Sequence, residues 1–92
     1  MSNHEEGLIT QYVHQIQALG ARAEAGEDVI SAIDAVVKKA IEHFRTVKSS
    51  DSQANLSAFK GKLAITAEVA HSSQPALKRT LQHAAEICPA EI

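Results

Sequence analysis

Apolar residues recur at alternating steps of three and four along four stretches of this chain, which is the spacing of one face of an α-helix. The first stretch begins at Leu8, and its helix can end at Gly20 or continue to Gly26. We favour Gly26, because the alanine-rich sequence between the two glycines propagates a helix well. The predicted stripe consists of Leu8, Ile9, Tyr12, Ile16, Leu19 and Ala23.

The second stretch has the cleanest pattern in the chain. Glu27 and Asp28 are predicted to lie in the first turn of its helix, where negative charge meets the positive end of the backbone dipole. Because β-branched residues dominate this stretch, we expect the helix to depend on tertiary packing. Its predicted stripe consists of Ile30, Ile33, Val37, Ala40, Phe44 and Val47.

Polar breaks separate the last two helices from the rest. Ser50 or Asp51 is predicted to cap the third helix, whose main stripe is Leu56, Phe59, Leu63, Thr66 and Ala70. Pro75 suits the first turn of a fourth helix, with Ser73 or Gln74 as the cap before it and Pro89 as its end. The inward residues of this helix are predicted to be Leu77, Leu81, Ala84, Ala85 and Cys88.

Four amphipathic helices joined by short polar turns predict an antiparallel up-down four-helix bundle. A chain of 92 residues is too short for a second core, so we expect a single helical domain over 1–92. Its N-terminus is predicted to be frayed over about 1–6, and a C-terminal tail is predicted from about 89. The alternative is a dimer of three helices plus a short fourth, because the last helix has the narrowest apolar face.

The third helix carries a second apolar row in addition to its main stripe. On a helical wheel this row lies more than a third of a turn from the main stripe. Small residues at this spacing let another helix approach closely, and this demand would explain a glycine that costs the helix about 1 kcal/mol. The row consists of Ala54, Ala58, Gly61, Ile65 and Val69, with Ser72 beyond them, and the first five are the predicted partner-binding residues.

Two kinds of occupant can cover this row. Within a monomer the alanine-rich fourth helix would pack there, and this is the interpretation that we favour from the sequence. The alternative is a helix from another protein or from a second copy of the chain in a homodimer. A helix that is apolar on two sides is either central in its domain or covered by another chain.

Charge and hydropathy argue against several classes of partner. The net charge is −2, with nine basic and eleven acidic residues and no cluster of like charge. Nucleic acid is therefore not an expected partner, because binding it requires several Lys or Arg on one surface. No stretch approaches the roughly 18 apolar residues of a membrane span, and the first ten residues lack the features of a signal peptide. We expect a soluble, cytoplasmic protein with no membrane partner.

Residues that usually carry chemistry lack the patterns that chemistry requires. A bundle metal site uses two facing Glu-x-x-His pairs, and the sequence holds only one, Glu68 with His71; His4 beside Glu5 and Glu6 forms only a terminal cluster. Cys88 falls on the inner face of the last helix, where we expect a small core residue rather than a nucleophile. The sequence therefore predicts no metal site, no cofactor and no enzymatic activity.

One short motif resembles a known family. The segment from Ser57 to Gly61 resembles the His-x-x-Lys-Gly pattern of histidine phosphotransfer domains, with a serine at the histidine position. Those domains are four-helix bundles of about this size. The resemblance implies a degenerate phosphotransfer-like module, or one that uses another histidine such as His43 or His71. If the third helix continued that far, His71 would lie about 21 Å along its axis from Ser57.

Two functions follow from the sequence. The first is a small non-enzymatic module that binds, caps or inhibits a protein partner through a helix face. The alternative is the phosphotransfer-like signalling module.

Overall fold

A computed structural model describes residues 3–46, 52–70 and 72–89, with side chains from Gly7 onward. Four helices account for most of these ranges: α1 (Asn3–Glu24), α2 (Ile30–Thr46), α3 (Ser52–Glu68) and α4 (Pro75–Ile87). No strand occurs in the described part of the chain. The helices form the predicted antiparallel four-helix bundle, and every one of them contacts the other three. Helix α4 is the shortest of the four, but it packs against both α1 and α3 and so belongs to the bundle.

The widest side chains of the core come from three different helices. The rings of Tyr12, Phe44 and Phe59 pack edge to face, with centroid distances of 5.7 to 6.4 Å. Each edge-to-face pair contributes about 0.5–1.5 kcal/mol beyond the burial of its area. The cluster therefore ties α1, α2 and α3 together, and aliphatic side chains such as Ile16, Leu56 and Leu81 fill the space around it.

The backbones of α1 and α4 approach closely at Gly20. A Cβ atom placed on Gly20 would overlap Cδ1 of Leu77 and lie 3.1 Å from its Cα. This contact explains why a glycine stands inside α1. As predicted, the helix continues through Gly20, and Gly26 follows its end with a φ of 97°, in the left-handed region that suits glycine.

The start of α2 differs from the sequence expectation. Glu27 and Asp28 do not lie in its first turn, because the segment from Glu27 to Val29 has no regular secondary structure and α2 begins at Ile30. Val29 in this segment is buried in the core. Asp28 still bonds to the start of α2 from outside the helix, since its Oδ1 accepts a hydrogen bond of 3.2 Å from the amide of Ile30.

The cap of α4 comes from a distant part of the chain. Gln74 precedes the helix as expected, but it makes no side-chain capping hydrogen bond. Glu24 at the end of α1 supplies the acceptor instead: its Oε2 accepts a hydrogen bond of 2.9 Å from the amide of Leu77. A carboxylate at a helix N-terminus also interacts favourably with the backbone dipole. Local sequence could not reveal this cap, because Glu24 lies 53 residues before Leu77.

Most predicted core positions are buried, and Leu8, Ala23, Leu77 and Ala85 are half-buried against the core. Ile30 was placed in the α2 stripe but is 61% exposed, because it lies at the edge of a groove between α2 and α4. In α3 the buried line runs on to Ala67, while Thr66 and Ala70 are only half-buried. Val47, Ser50 and Asp51, as well as the chain ends at 1–2 and 90–92, lie outside the described residues.

Substitutions at two helical glycines test this packing, because they are expected to change the free energy of unfolding in opposite directions. Gly20→Ala should destabilise the protein by about 1–3 kcal/mol, because the new methyl group overpacks the contact with Leu77. Gly61→Ala should stabilise it by up to about 1 kcal/mol, since nothing lies within 4 Å of the new Cβ and alanine favours the helix. Urea unfolding of both variants measures the difference. Equal effects at the two positions would contradict the close approach of α1 and α4.

Candidate functional site

The outer side of α3 carries a row of uncovered apolar residues. Ile65 is 62% exposed and Val69 is 76% exposed, which makes them two of the three most exposed large hydrophobic residues in the described chain. Ala54, Ala58 and Gly61 continue the row and are also exposed. The structure therefore places all five predicted partner-binding residues on one side of α3. We call these five residues the α3 row.

The opposite side of the same helix is fully buried. Leu56, Phe59 and Leu63 have no exposed surface. Helix α3 is thus apolar on two sides, one facing the core and one facing outward. Val69 stands one residue beyond the helix, but its amide still donates a hydrogen bond of 3.1 Å to the carbonyl of Ile65, so the row keeps its helical geometry to the end.

Helix α4 does not cover the α3 row, contrary to the interpretation that the sequence favoured. It packs on α1 and on the inner side of α3. No atom of the described residues outside the local helix backbone lies within 4 Å of a Cβ built on Gly61. The reason is geometric: the glycine that α4 requires is Gly20, and docking there holds α4 away from the outer side of α3. Within the described chain, the row has no covering helix.

A groove adjoins the row on the side of α1. It encloses about 350 Å³ and is lined by Ile9, Thr10, Ala58 and Lys62. The ammonium group of Lys62 donates a hydrogen bond of 3.0 Å to Oγ1 of Thr10, which holds the lysine across the groove toward α1. Glu68 lies on the other flank of the row and is exposed. The surface is therefore an apolar strip with one charged residue at each edge.

The described histidines do not form a metal site. No group of three potential metal ligands occurs among the residues that the structure describes. His14 is exposed and His83 is half-buried, whereas the side chain of His4 and all of His71 lie outside the described part. Since α3 ends at Glu68, His71 also lies beyond the helix on which the sequence placed it.

His43 has a partner that its sequence position did not reveal. The hydroxyl of Tyr12 lies 2.9 Å from Nδ1 of His43, and it donates to this nitrogen when the ring proton is on Nε2. The two rings form a T-shaped pair with a centroid distance of 5.9 Å. Burial raises the pKa of the Tyr12 hydroxyl, so it is protonated at neutral pH. The hydrogen bond fixes the orientation of an otherwise exposed histidine.

Cys88 is the core residue that the sequence predicted. Its side chain is buried, and Sγ donates a weak hydrogen bond of 3.3 Å to the carbonyl of Ala84. Burial raises the pKa of the thiol to about 11, against a smaller opposing effect of the charge on Lys60. The thiolate is the reactive form of cysteine, so this environment gives an unreactive thiol at neutral pH.

Comparison of the chain with protein-family models, with curated proteins and with solved structures found no match. Among the described helices, none combines the length and the hydropathy that crossing a membrane requires.

The environment of Cys88 predicts slow alkylation. In the folded protein at pH 8, iodoacetamide should modify the thiol about a hundredfold more slowly than in the protein unfolded in urea, because a pKa raised from 9.0 to about 11 lowers the thiolate population by that factor. The folded protein should also lose stability as the pH rises from about 9 to 11, since only the unfolded state releases the proton there. Mass spectrometry follows the first effect and urea unfolding the second, with Cys88→Ala as the control for both. Equal alkylation rates would contradict the burial of the thiol.

Proposed function

We propose that this protein is a small non-enzymatic interaction module that binds a protein partner by packing a helix of that partner against the α3 row. The observation that carries the proposal is the exposure of Ile65 and Val69 on a helix whose other side is completely buried. Such a module acts by binding, capping or inhibiting the partner. It needs no catalytic group of its own.

The energetics favour a helical partner. Burying the exposed parts of Ile65 and Val69 would contribute about 1–2 kcal/mol for each side chain. Ala54, Ala58 and Gly61 present almost no side-chain volume, so the backbone of a second helix can lie close to this half of the row. The groove lined by Ile9 and Thr10 gives larger side chains of the partner a place beside it. An apolar centre with a charged residue at each edge is also typical of protein interfaces.

Helix α3 of a second copy of the chain is one partner of suitable shape. The small residues of the row occupy the N-terminal half of α3 and the large ones lie toward its C-terminal end. In an antiparallel pair related by a two-fold axis beside Gly61, Ile65 of one copy would lie over Ala58 of the other. Val69 would lie over Ala54 in the same way. Large side chains would then meet small ones at each step, which is the arrangement that helix packing requires.

Two substitutions test the α3 row. Ala58→Glu places a charge in the centre of the row, and Gly61→Leu fills the space that a partner helix would occupy. Both should abolish partner binding while leaving helicity intact, because neither position contacts the core. Ala35→Glu on α2 is the matched control, since it adds the same charge at another exposed alanine. Circular dichroism verifies folding of each variant.

The measurement combines light scattering on the pure protein with affinity capture from the native host. A dimer, or a captured protein, that is present with wild type and Ala35→Glu but absent with Ala58→Glu and Gly61→Leu supports the proposal. A protein that stays monomeric and captures the same proteins in all four forms would show that the row is not an interface.

The hydrogen bond between Tyr12 and His43 favours phosphotransfer as a second candidate function. It engages Nδ1 and leaves Nε2 of an exposed histidine available, and Lys39 one turn earlier could neutralise a phosphoryl group. The chain should then accept phosphate from a phosphorylated receiver domain, whereas His43→Gln should not. The measurement is the amount of acid-labile phosphohistidine on the chain. Absence of phosphohistidine from the wild-type chain would eliminate this function.

A further inference from the structure

A second groove opens where the turn between α1 and α2 meets α4. It encloses about 380 Å³, which lies at the small end of the range of about 300–1,000 Å³ for ligand pockets. Ile33 and Ala76 contribute apolar surface inside it, and Ile30 stands at its edge with 61% of its surface exposed. None of its lining residues belongs to α3. This groove is therefore separate from the surface of the proposed function.

Three polar side chains of α4 line one wall of the groove. Thr80 is only 5% exposed, yet its hydroxyl forms no hydrogen bond with any described residue and is open to the cavity. Since no fully buried polar atom of the described residues lacks a partner, this hydroxyl is accessible from the groove. Arg79 and His83 lie on the same wall, one helical turn apart, and neither forms an ion pair or hydrogen bond within the described chain. This wall therefore offers several unused donors.

The two carboxylates of the groove are already engaged. Glu27 pairs with Arg22, whose Nη2 lies 3.1 Å from Oε1. Asp28 accepts the amide hydrogen of Ile30. The pairing with Arg22 offsets the charge of Glu27, and Asp28 stands at the positive end of α2. Among the described residues, the groups of the groove without a partner lie on the α4 wall, where the guanidinium of Arg79 favours an anionic group over a cationic one.

We propose that this groove binds a small carboxylic acid with a hydrocarbon tail. The carboxylate accepts hydrogen bonds from the guanidinium of Arg79 and the hydroxyl of Thr80, with His83 beside it. The tail covers Ile30 and packs against Ile33 and Ala76. A ligand of this class bonds to the Thr80 hydroxyl and removes the exposed apolar surface of Ile30 from water, and neither a purely apolar nor a purely ionic ligand does both.

Titration of the isotopically labelled protein with octanoate tests the proposal by NMR. The expected result is saturable shift changes at the amides of Arg79, Thr80 and His83 and at the methyl groups of Ile30 and Ile33. Octanol and octylammonium should bind at least about tenfold more weakly, because they lack the carboxylate. Equal affinity for octanol, no binding of octanoate, or shifts confined to Ile65 and Val69 would each overturn the proposal.

Matched variants separate the head group from the tail. Arg79→Gln and Thr80→Val should each weaken octanoate binding by about tenfold and leave the weak binding of octanol unchanged, which also shows that the groove is intact. Lys78→Gln removes a neighbouring positive charge that does not line the groove and should have no effect. Wild-type affinity in both Arg79→Gln and Thr80→Val, or equal weakening by Lys78→Gln, would refute the assigned contacts. Loss of the α3 interface leaves this test unaffected, so the two proposals fail independently.

Discussion

The close approach of α1 and α4 at Gly20 constrains the positions of the other helices. Leu77 lies against Gly20, and the carboxylate of Glu24 caps the amide of Leu77 one turn further along α1. These two contacts fix the start of the shortest helix of the bundle, which has 13 residues. Held there, α4 also packs on the inner side of α3. In this position α4 does not cover the outer side of α3, which is left open.

Helix α2 is held in a different way. Large rings rather than small residues join it to the bundle, since Phe44 packs between Tyr12 and Phe59. Side chains of this size keep helix axes further apart than a contact at glycine does. The bundle thus has a tightly packed part, formed by α1, α4 and α3, and a wider part at α2. The groove beside Ile30 and Thr80 is lined by residues of α2 and α4 and by Glu27, Asp28 and Val29 in the segment before α2.

The two candidate surfaces differ in their chemistry. The α3 row is convex, apolar and uncharged along its centre, and such a surface gains stability mainly by excluding water against another apolar surface. The groove at α4 is concave and combines apolar walls with donors that lack partners, so it favours a ligand with a defined anionic group. A single short chain can carry both, because the two surfaces share no residue.

The sequence by itself determined the elements of this fold. The three-four spacing of apolar residues located all four helices, and it identified most of the buried positions, such as Ile16, Phe59 and Leu81, together with the second row on α3, because these depend on the period of a helix alone. Tertiary structure decided which glycine lies at a helix contact, which carboxylate caps α4 and which side of α3 stays open. It also brought Tyr12 to His43 and placed Arg79, Thr80 and His83 on one wall of a groove. Each of these depends on how rigid helices pack against each other, and the pairing of residues 31 to 53 positions apart leaves no local signal in the chain.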